Sequence, residues 1–382
     1  MKIGVPKEIK DQEYRVGLTP ATVRAVCQHG HEVYIEKSAG KAIGYLDSDF
    51  QQAGAIIVDY PEQVYENPLV VKVKEPQPDE FELLSEGQIL LTYLHLAPDP
   101  KQTSALLQRG VIGIAYETVT DKHGRLPLLI PMSEVAGRLS IQAGATCLQK
   151  NHGGNGMLLG GVPGVAAAKV VIIGGGVVGT QAARMAMGLG AEVTILDNSL
   201  DRLRQLDDLY GPLLHTRYAE PLSLHELTQA ADLVIGAVLL PGKQAPKLIS
   251  RDMISNMKSG SVLVDVAIDQ GGCAETSRPT THSDPTYVID DVVHYCVANM
   301  PGAVARTSTQ ALTNATLPYL LELANKGYAQ AMRDNPGLSK GLNVYQGRVT
   351  CEAVAEELGY DYYPVNDMLR ESLGDDAILL AG

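Results

Sequence analysis

The sequence predicts an α/β protein made of two doubly wound units, each a mostly parallel sheet covered by helices. Three observations predict this. Short, nearly continuous apolar runs alternate with helical patterns over the first part of the chain, and a second such series starts at Lys169. Continuous apolar strands belong to parallel sheets buried on both faces. The chain has 382 residues, too many for one comfortable core.

In the first series, strands are expected at Lys2–Val5, His31–Glu36, Ala55–Val58, Leu69–Val73, Gln88–Thr92 and Val111–Ala115. Helices are expected at Pro20–His29, with Thr19 as N-cap, and at Pro100–Arg109. Pro131 precedes a long helical pattern, Met132–Lys150, rich in the small residues Ala136, Gly137, Ser140, Ala143 and Gly144. Small side chains let backbones approach, so this helix should pack tightly on another element. The Gly-rich stretch His152–Gly164 has no period and reads as a loop joining two domains. The second series has strands ending in Leu233–Val238, Ser261–Val266 and Tyr287–Asp290. Thr307–Arg333 reads as one long helix, and the mixed segment Asn343–Leu358 is too small for a domain and should return to the first one.

Composition limits the function classes. Apolar residues make up 45% and charged residues 20%, as in globular chains. The formal charge of −13 argues against a nucleic-acid partner, because phosphate contact needs a basic face, and against anionic lipid. Five scattered cysteines without a C-x-x-C spacing point to reduced thiols, with neither disulfide framework nor zinc. No leader pattern and no long uncharged apolar run is present, so no membrane span and a cytoplasmic location are expected.

The strongest motif runs from the apolar strand at Lys169 through Ile173 into Gly174-Gly175-Gly176-Val177-Val178-Gly179, followed by a helical pattern to Leu189. Gly174 permits a tight turn, Gly176 lets a pyrophosphate approach the backbone, and Gly179 lets helix and strand pack closely. The helix N-terminus then offers unpaired N–H groups and partial positive charge to phosphate. The next strand, Glu192–Leu196, leads to Asp197, whose carboxylate suits both ribose hydroxyls and repels a 2′-phosphate. The pattern therefore predicts a Rossmann dinucleotide site for NAD rather than NADP. Asp269 and the Asn299-Met300-Pro301-Gly302 turn follow later strands of that domain, as does Leu239.

Three polar residues of the first series stand beside strand ends, where chemistry on parallel sheets is usually placed. Arg15 lies between the first strand and helix, and its planar fork suits a carboxylate. Lys74 and His95 each close an apolar run. By position alone, Arg15 is also readable as a surface ion pair, Lys74 with Glu75 as a solvated edge, and His95 as a structural histidine.

Longer stretches carry a resemblance. They are Ile3-Gly-Val-Pro-Lys-Glu8, Arg15-Val-Gly-Leu-Thr-Pro20, Val73-Lys-Glu-Pro76, Tyr93-Leu-His95, Val264-Asp-Val-Ala-Ile-Asp-Gln-Gly-Gly272 and Pro241-Gly-Lys-Gln-Ala-Pro-Lys-Leu-Ile249. Together they resemble the alanine dehydrogenase family over residues 1 to about 360. The resemblance implies two Rossmann-like doubly wound domains with an interdomain active-site cleft: 1–131 plus 306–382 for substrate and catalysis, and 132–305 for NAD. It implies NAD-dependent conversion of L-alanine to pyruvate and ammonium, and the reverse, by a homohexamer. His95 is then the general acid/base and Asp269 the second catalytic residue. Arg15 holds the substrate carboxylate, and Lys74 its carbonyl or amine side. Cofactor contacts fall on Ser133, Val178, Asp197, Arg202, Leu239, Asp269, Arg278 and Met300, besides the glycines Gly174, Gly176 and Gly179.

Two positions depart from the family pattern. Ala219 falls where some relatives have Ser, which removes one cofactor hydrogen bond. Glu322 is followed by Lys326 where some relatives pair Glu with His for a divalent ion, so no metal is expected there. Neighbouring readings are the NAD(H)-binding part of a proton-translocating transhydrogenase, a non-catalytic NAD-binding protein, and a different substrate such as glycine with glyoxylate. Tyr93, Leu129 and Met132 are candidates for the pocket wall that decides the last point, with ordinary core packing an equal reading for Met132.

Overall fold

The structure is a computed structural model and describes residues 1–238 and 245–370. In chain order the strands are β1 (Lys2–Val5), β2 (Glu32–Glu36), β3 (Ile56–Val58), β4 (Leu69–Val71), β5 (Ile89–Thr92) and β6 (Ile112–Ala115). Next come β7 (Lys169–Ile173), β8 (Glu192–Asp197), β9 (His215–Tyr218), β10 (Leu233–Gly236), β11 (Val262–Asp265), β12 (Thr286–Ile289) and β13 (Val292–Tyr295). The last are β14 (Leu342–Tyr345) and β15 (Arg348–Val349).

The chain divides into two compact units. The first comprises Met1–Met132 and the described residues from Val304 onward; the second is Ser133–Ala303. The first unit holds an eight-stranded sheet in the order β15-β14-β6-β5-β4-β1-β2-β3. Its strands β1 to β6 are parallel, while β14 and β15 are antiparallel additions at one edge. Strand order reverses between β1 and β4, so their carboxyl ends open a crevice. Arg15 and Lys74 follow these two strands, and His95 follows the next, β5.

The second unit holds a seven-stranded sheet in the order β12-β13-β11-β10-β7-β8-β9, with its own reversal between β7 and β10. The strands are parallel except β12, which runs antiparallel to β13. Buried aliphatic side chains of β7, β8, β10 and β11 fill both faces of this sheet. The helix Ile130–Cys147 packs as its small residues predict: a Cβ on Gly137 would lie 2.3 Å from the Val178 carbonyl oxygen, and one on Gly144 would lie 2.6 Å from Leu233.

Four local expectations are corrected. The stretch His152–Gly164, expected as a loop joining two domains, lies within the second unit. Each sheet is mostly parallel, as predicted, with one hairpin at an edge, β14–β15 in the first and β12–β13 in the second. Their turns place Asp290 and Asp291, and Gln346 and Gly347, at positive φ, the conformation of tight two-residue loops. The helix expected over Thr307–Arg333 is two helices, Ala305–Lys326 and Tyr328–Asp334, broken at Gly327 with φ 73° and ψ 159°. The helix expected from Met132 to Lys150 runs Ile130–Cys147, with Pro131 inside its first turn, where a missing N–H does no harm. The strand expected to reach Val73 stops at Val71, where the chain turns into the site. Among the described residues, no helix is long and apolar enough to cross a membrane.

Candidate active site

On the carboxyl edge of the first sheet, buried charges position the polar groups. Arg15 is 2% exposed and grips Glu13 with two arms, Nε to Oε1 at 2.7 Å and Nη2 to Oε2 at 2.6 Å. Burial disfavours the guanidinium charge, but the Glu13 carboxylate more than offsets it and holds the Arg15 pKa above its ordinary value. The Nη1 arm donates to the Met132 thioether at 3.2 Å. A thioether is a weak acceptor, and an anion reaching that arm would make the stronger bond. The segment is pressed onto the end of β4, because a Cβ on Gly17 would lie 2.6 Å from the Val71 carbonyl oxygen.

Lys74 is half-buried three residues beyond β4. Its carbonyl accepts from the Thr92 hydroxyl of β5 at 2.8 Å. The turn before it is held from beneath by Glu8, whose Oε1 accepts from the Val73 N–H at 2.7 Å. Glu8 also lies 3.2 Å from the fully buried Lys72 ammonium, which bonds Glu80 at 2.7 Å. Burial raises the Glu8 carboxyl above the usual range against the pull of Lys72. Lys72 thus belongs to an internal ion cluster, while the neighbouring Lys74 lies partly open.

His95 sits three residues beyond β5, with its side chain 46% exposed. Its ring stacks on Tyr93, with centroids 5.8 Å apart and planes 9° apart. The Tyr93 hydroxyl donates to the Leu128 carbonyl at 2.6 Å, and its ring meets Tyr116 edge-on. Burial raises the Tyr93 pKa, with nearby Arg15 opposing, so this phenol stays neutral. Arg15, Lys74 and His95 thus all follow the carboxyl ends of the adjacent strands β1, β4 and β5 of one unit. Of the proposed wall residues, Tyr93 packs on His95 and Met132 touches Arg15.

The glycine turn of the second unit fits a dinucleotide by its shape. Gly174 has φ +103°, and a Cβ there would lie 2.7 Å from the Ala237 carbonyl oxygen across the β7–β10 switch point. A Cβ on Gly179 would collide with the Gly174 carbonyl oxygen at 1.8 Å. On Gly176 it would meet nothing within 4 Å, so that glycine leaves open space at the start of helix Val177–Gly188, which has no side-chain cap. Asp197 ends β8 and accepts from the Gly175 N–H at 2.7 Å and the Ser199 N–H at 2.8 Å. Arg202 lies over the same turn, donating to the Gly175 carbonyl at 2.6 Å and to Thr180 at 2.7 Å. Val178 is buried in the first turn of the helix, and Ser133 is half-buried on helix Ile130–Cys147.

The later turns of this unit are also built from within. Asp265, fully buried, accepts from the N–H groups of Ala267 and Cys273 at 3.2 and 2.8 Å and from the Ser277 hydroxyl at 2.5 Å. These bonds shape the turn Val266–Gln270, which leaves Asp269 exposed. The Lys247 ammonium donates to the carbonyls of Gly271 and Ala274, tying in the segment after residue 244. The Arg278 guanidinium lies 4.1 Å from the Tyr287 ring centroid, and the Arg278 N–H donates to the Tyr287 hydroxyl. Met300 is buried at the start of the turn Met300–Val304. Leu239 lies outside the described residues. Ala219 bonds the Asp197 carbonyl through its backbone N–H at 3.0 Å. Lys326 bonds Glu322 at 3.1 Å and Asp334 at 2.8 Å, so an ammonium stands between these carboxylates.

Sequence reasoning missed three acids of the site: Glu13, Glu8 and Glu117. The Glu117 carboxylate reaches from beyond β6 to the Leu94 and His95 N–H groups. The signal for Glu13 was its place two residues before Arg15. Glu8 and Glu117 act across the sheet and give no local signal.

Residues 4–136 match the family description "Alanine dehydrogenase/PNT, N-terminal domain", and residues 140–352 match "Alanine dehydrogenase/PNT, C-terminal domain". An alanine dehydrogenase from Halomonas elongata is 58% identical, over 95% of this chain and 98% of that one. Another, from Methanococcus maripaludis, is 56% identical over 97% and 100%. A solved L-alanine dehydrogenase superposes with a TM-score of 0.92 at 51% identity, covering 94% of this chain and 99% of that one. A transhydrogenase structure from Sinorhizobium meliloti, 22% identical with a TM-score of 0.79 over 92% and 100% of the chains, shares the fold. With both halves matched and relatives more than half identical along nearly the whole length, the chain belongs to the alanine dehydrogenase/PNT family.

Proposed function

We propose that the chain catalyses the NAD-dependent oxidative deamination of L-alanine to pyruvate and ammonia, and the reverse reductive amination. The observation that carries this reading is the placement of Arg15, Lys74 and His95 on the carboxyl edge of neighbouring strands, in a chain whose other unit carries a dinucleotide turn. The first unit takes the three-carbon acid and the second takes NAD. When bound, the nicotinamide accepts the hydride that leaves the alanine Cα.

The chain's own residues do the rest. Gly176 and the uncapped helix start hold the pyrophosphate by backbone N–H groups. Asp197 accepts from the ribose hydroxyls, with Ser133, Val178, Arg202, Leu239, Arg278 and Met300 as further contacts. The outer arm of Arg15 binds the substrate carboxylate, with Met132 Sδ displaced, and fixes the direction of the Cα–H bond. Lys74 polarises the carbonyl and stabilises negative charge on its oxygen. His95 removes the proton from the alanine ammonium and moves protons again as water adds and ammonia leaves. Asp269 balances the iminium charge. Our reading extends to a cytoplasmic homohexamer, for which the exposed Leu158, Val162, Val165 and Leu189 of the second unit offer apolar contact area.

The test is NADH oxidation with pyruvate alone, ammonium alone and both. This reading requires oxidation only with both, and L-alanine as product. Hydride exchange between NADH and an oxidised nicotinamide, with no need for pyruvate, would instead favour a transhydrogenase component.

A further inference from the structure

Two adjoining strand ends place a carboxylate where it can act on His95. β5 and β6 are in register, with Thr92 opposite Ala115, so the residues just beyond both strands emerge side by side. Glu117 lies in the short turn Tyr116–Thr118 after β6, and its side chain is 15% exposed. Its Oε1 accepts from the His95 N–H at 2.6 Å, and its two oxygens lie 3.1 and 3.2 Å from the Leu94 N–H. His95 has φ +48°, a left-handed conformation that is unfavourable for an L-residue and that these bonds help to hold. The same Oε1 lies 4.0 Å from His95 Nδ1. The ring also stacks on Tyr93, a buried neutral phenol. Among the described residues, Glu117 and Tyr93 are the titratable groups beside the ring.

We propose that Glu117 is the positioning residue for His95, a reading that rests on the acid/base role given to His95 above. A short swing of the ring brings Nδ1–H to Glu117 Oε1. That bond fixes the tautomer and leaves Nε2 to exchange the proton with substrate. The carboxylate also stabilises the imidazolium formed when Nε2 takes a proton. Catalytic hydrogen bonds are commonly long before substrate binds and tighten afterwards. One carboxylate therefore holds the backbone turn that presents the ring and stands within reach of its Nδ1.

Glu117→Gln separates these tasks. Its amide carbonyl still accepts from the Leu94 and His95 N–H groups, so the turn survives. With that oxygen in the place of Oε1, the amide keeps an acceptor near Nδ1 but loses the charge that stabilises the imidazolium. The experiment measures kcat, KM for pyruvate, NADH Kd and thermal midpoint for Glu117→Gln, Glu117→Asp and His95→Ala. We expect kcat of Glu117→Gln to fall about 10- to 100-fold, with KM for pyruvate, NADH affinity and midpoint near wild type. Glu117→Asp, which keeps the charge, should recover part of the loss. Wild-type kcat in Glu117→Gln overturns the proposal while leaving His95 as acid/base. A lowered midpoint in Glu117→Gln that Glu117→Asp does not recover in kcat also overturns it, showing a structural role alone. Wild-type kcat in His95→Ala overturns both.

Discussion

The two units share a strand order around a reversal, but they prepare their carboxyl edges in opposite ways. In the first, the connection after β1 is long and carries Glu8, Glu13 and Arg15 before a helix begins at Pro20. The edge is furnished with charged side chains, Arg15 paired with Glu13 and Glu8 with Lys72. In the second, the turn after β7 is three glycines long and the helix starts at Val177, so the edge presents bare backbone. The contrast suits two ligands. A small carboxylate needs a rigid cation at one point, whereas a pyrophosphate needs room and several N–H donors along a helix start. The two units, with one sheet topology, thus differ first in the connection that follows the leading strand.

The largest expected effect separates the two edges. His95→Ala should lower kcat by about 100-fold or more while leaving NADH affinity unchanged, read by steady-state kinetics and NADH titration. Equal loss of NADH binding would mean that the edges are not independent. The mirror experiment is on the second unit. Gly176→Val adds atoms where nothing stands within 4 Å, so the protein should fold yet bind NADH at least about 10-fold more weakly. Gly179→Ala should instead lower the thermal midpoint, since its Cβ would collide with the Gly174 carbonyl. If both variants behaved alike in melting, the division of labour among the glycines would be wrong.

A third comparison concerns how charge is held. Arg15→Lys keeps a cation but loses the fork, and should raise the KM for pyruvate about 10-fold, with a smaller change in kcat. Asp197→Ala should weaken NADH binding and narrow the preference for NADH over NADPH, measured by titration with both. Unchanged NADH affinity would remove Asp197 from the ribose site. The smallest effect is in pH-dependent stability. Burial raises the Glu75 carboxyl, but Lys74 and Lys10 more than offset this and hold it below its ordinary value. A lowered folded pKa gives stability that is present above the unfolded value and lost as pH falls through the folded one. Glu75→Gln should therefore flatten the acid side of the melting-temperature profile below about pH 4.5, and an unchanged profile would contradict the assignment.

The sequence made the second edge easier to read than the first. Gly174, Gly176, Gly179 and Asp197 lie in one strand-turn-helix-strand stretch, and each has a local steric or charge reason. Lys74 and His95 were legible only as strand-end residues, and family resemblance singled them out. Glu117 acts on His95 from 22 residues away through the register of β5 and β6, which no local pattern encodes. The strands were found because they are apolar. The exposed edge strand β9 escaped notice because three of its four residues face solvent. The hairpin turn Asp290-Asp291 and the break at Gly327 depend on backbone angles that composition only hints at.

The most direct measurement is a crystal structure of the chain with NADH and pyruvate. The account predicts the pyruvate carboxylate on the Arg15 guanidinium in place of Met132 Sδ, with its carbonyl oxygen against Lys74 Nζ and His95 Nε2. Pyruvate bound elsewhere, or His95 turned away from it in the ternary complex, would contradict the account.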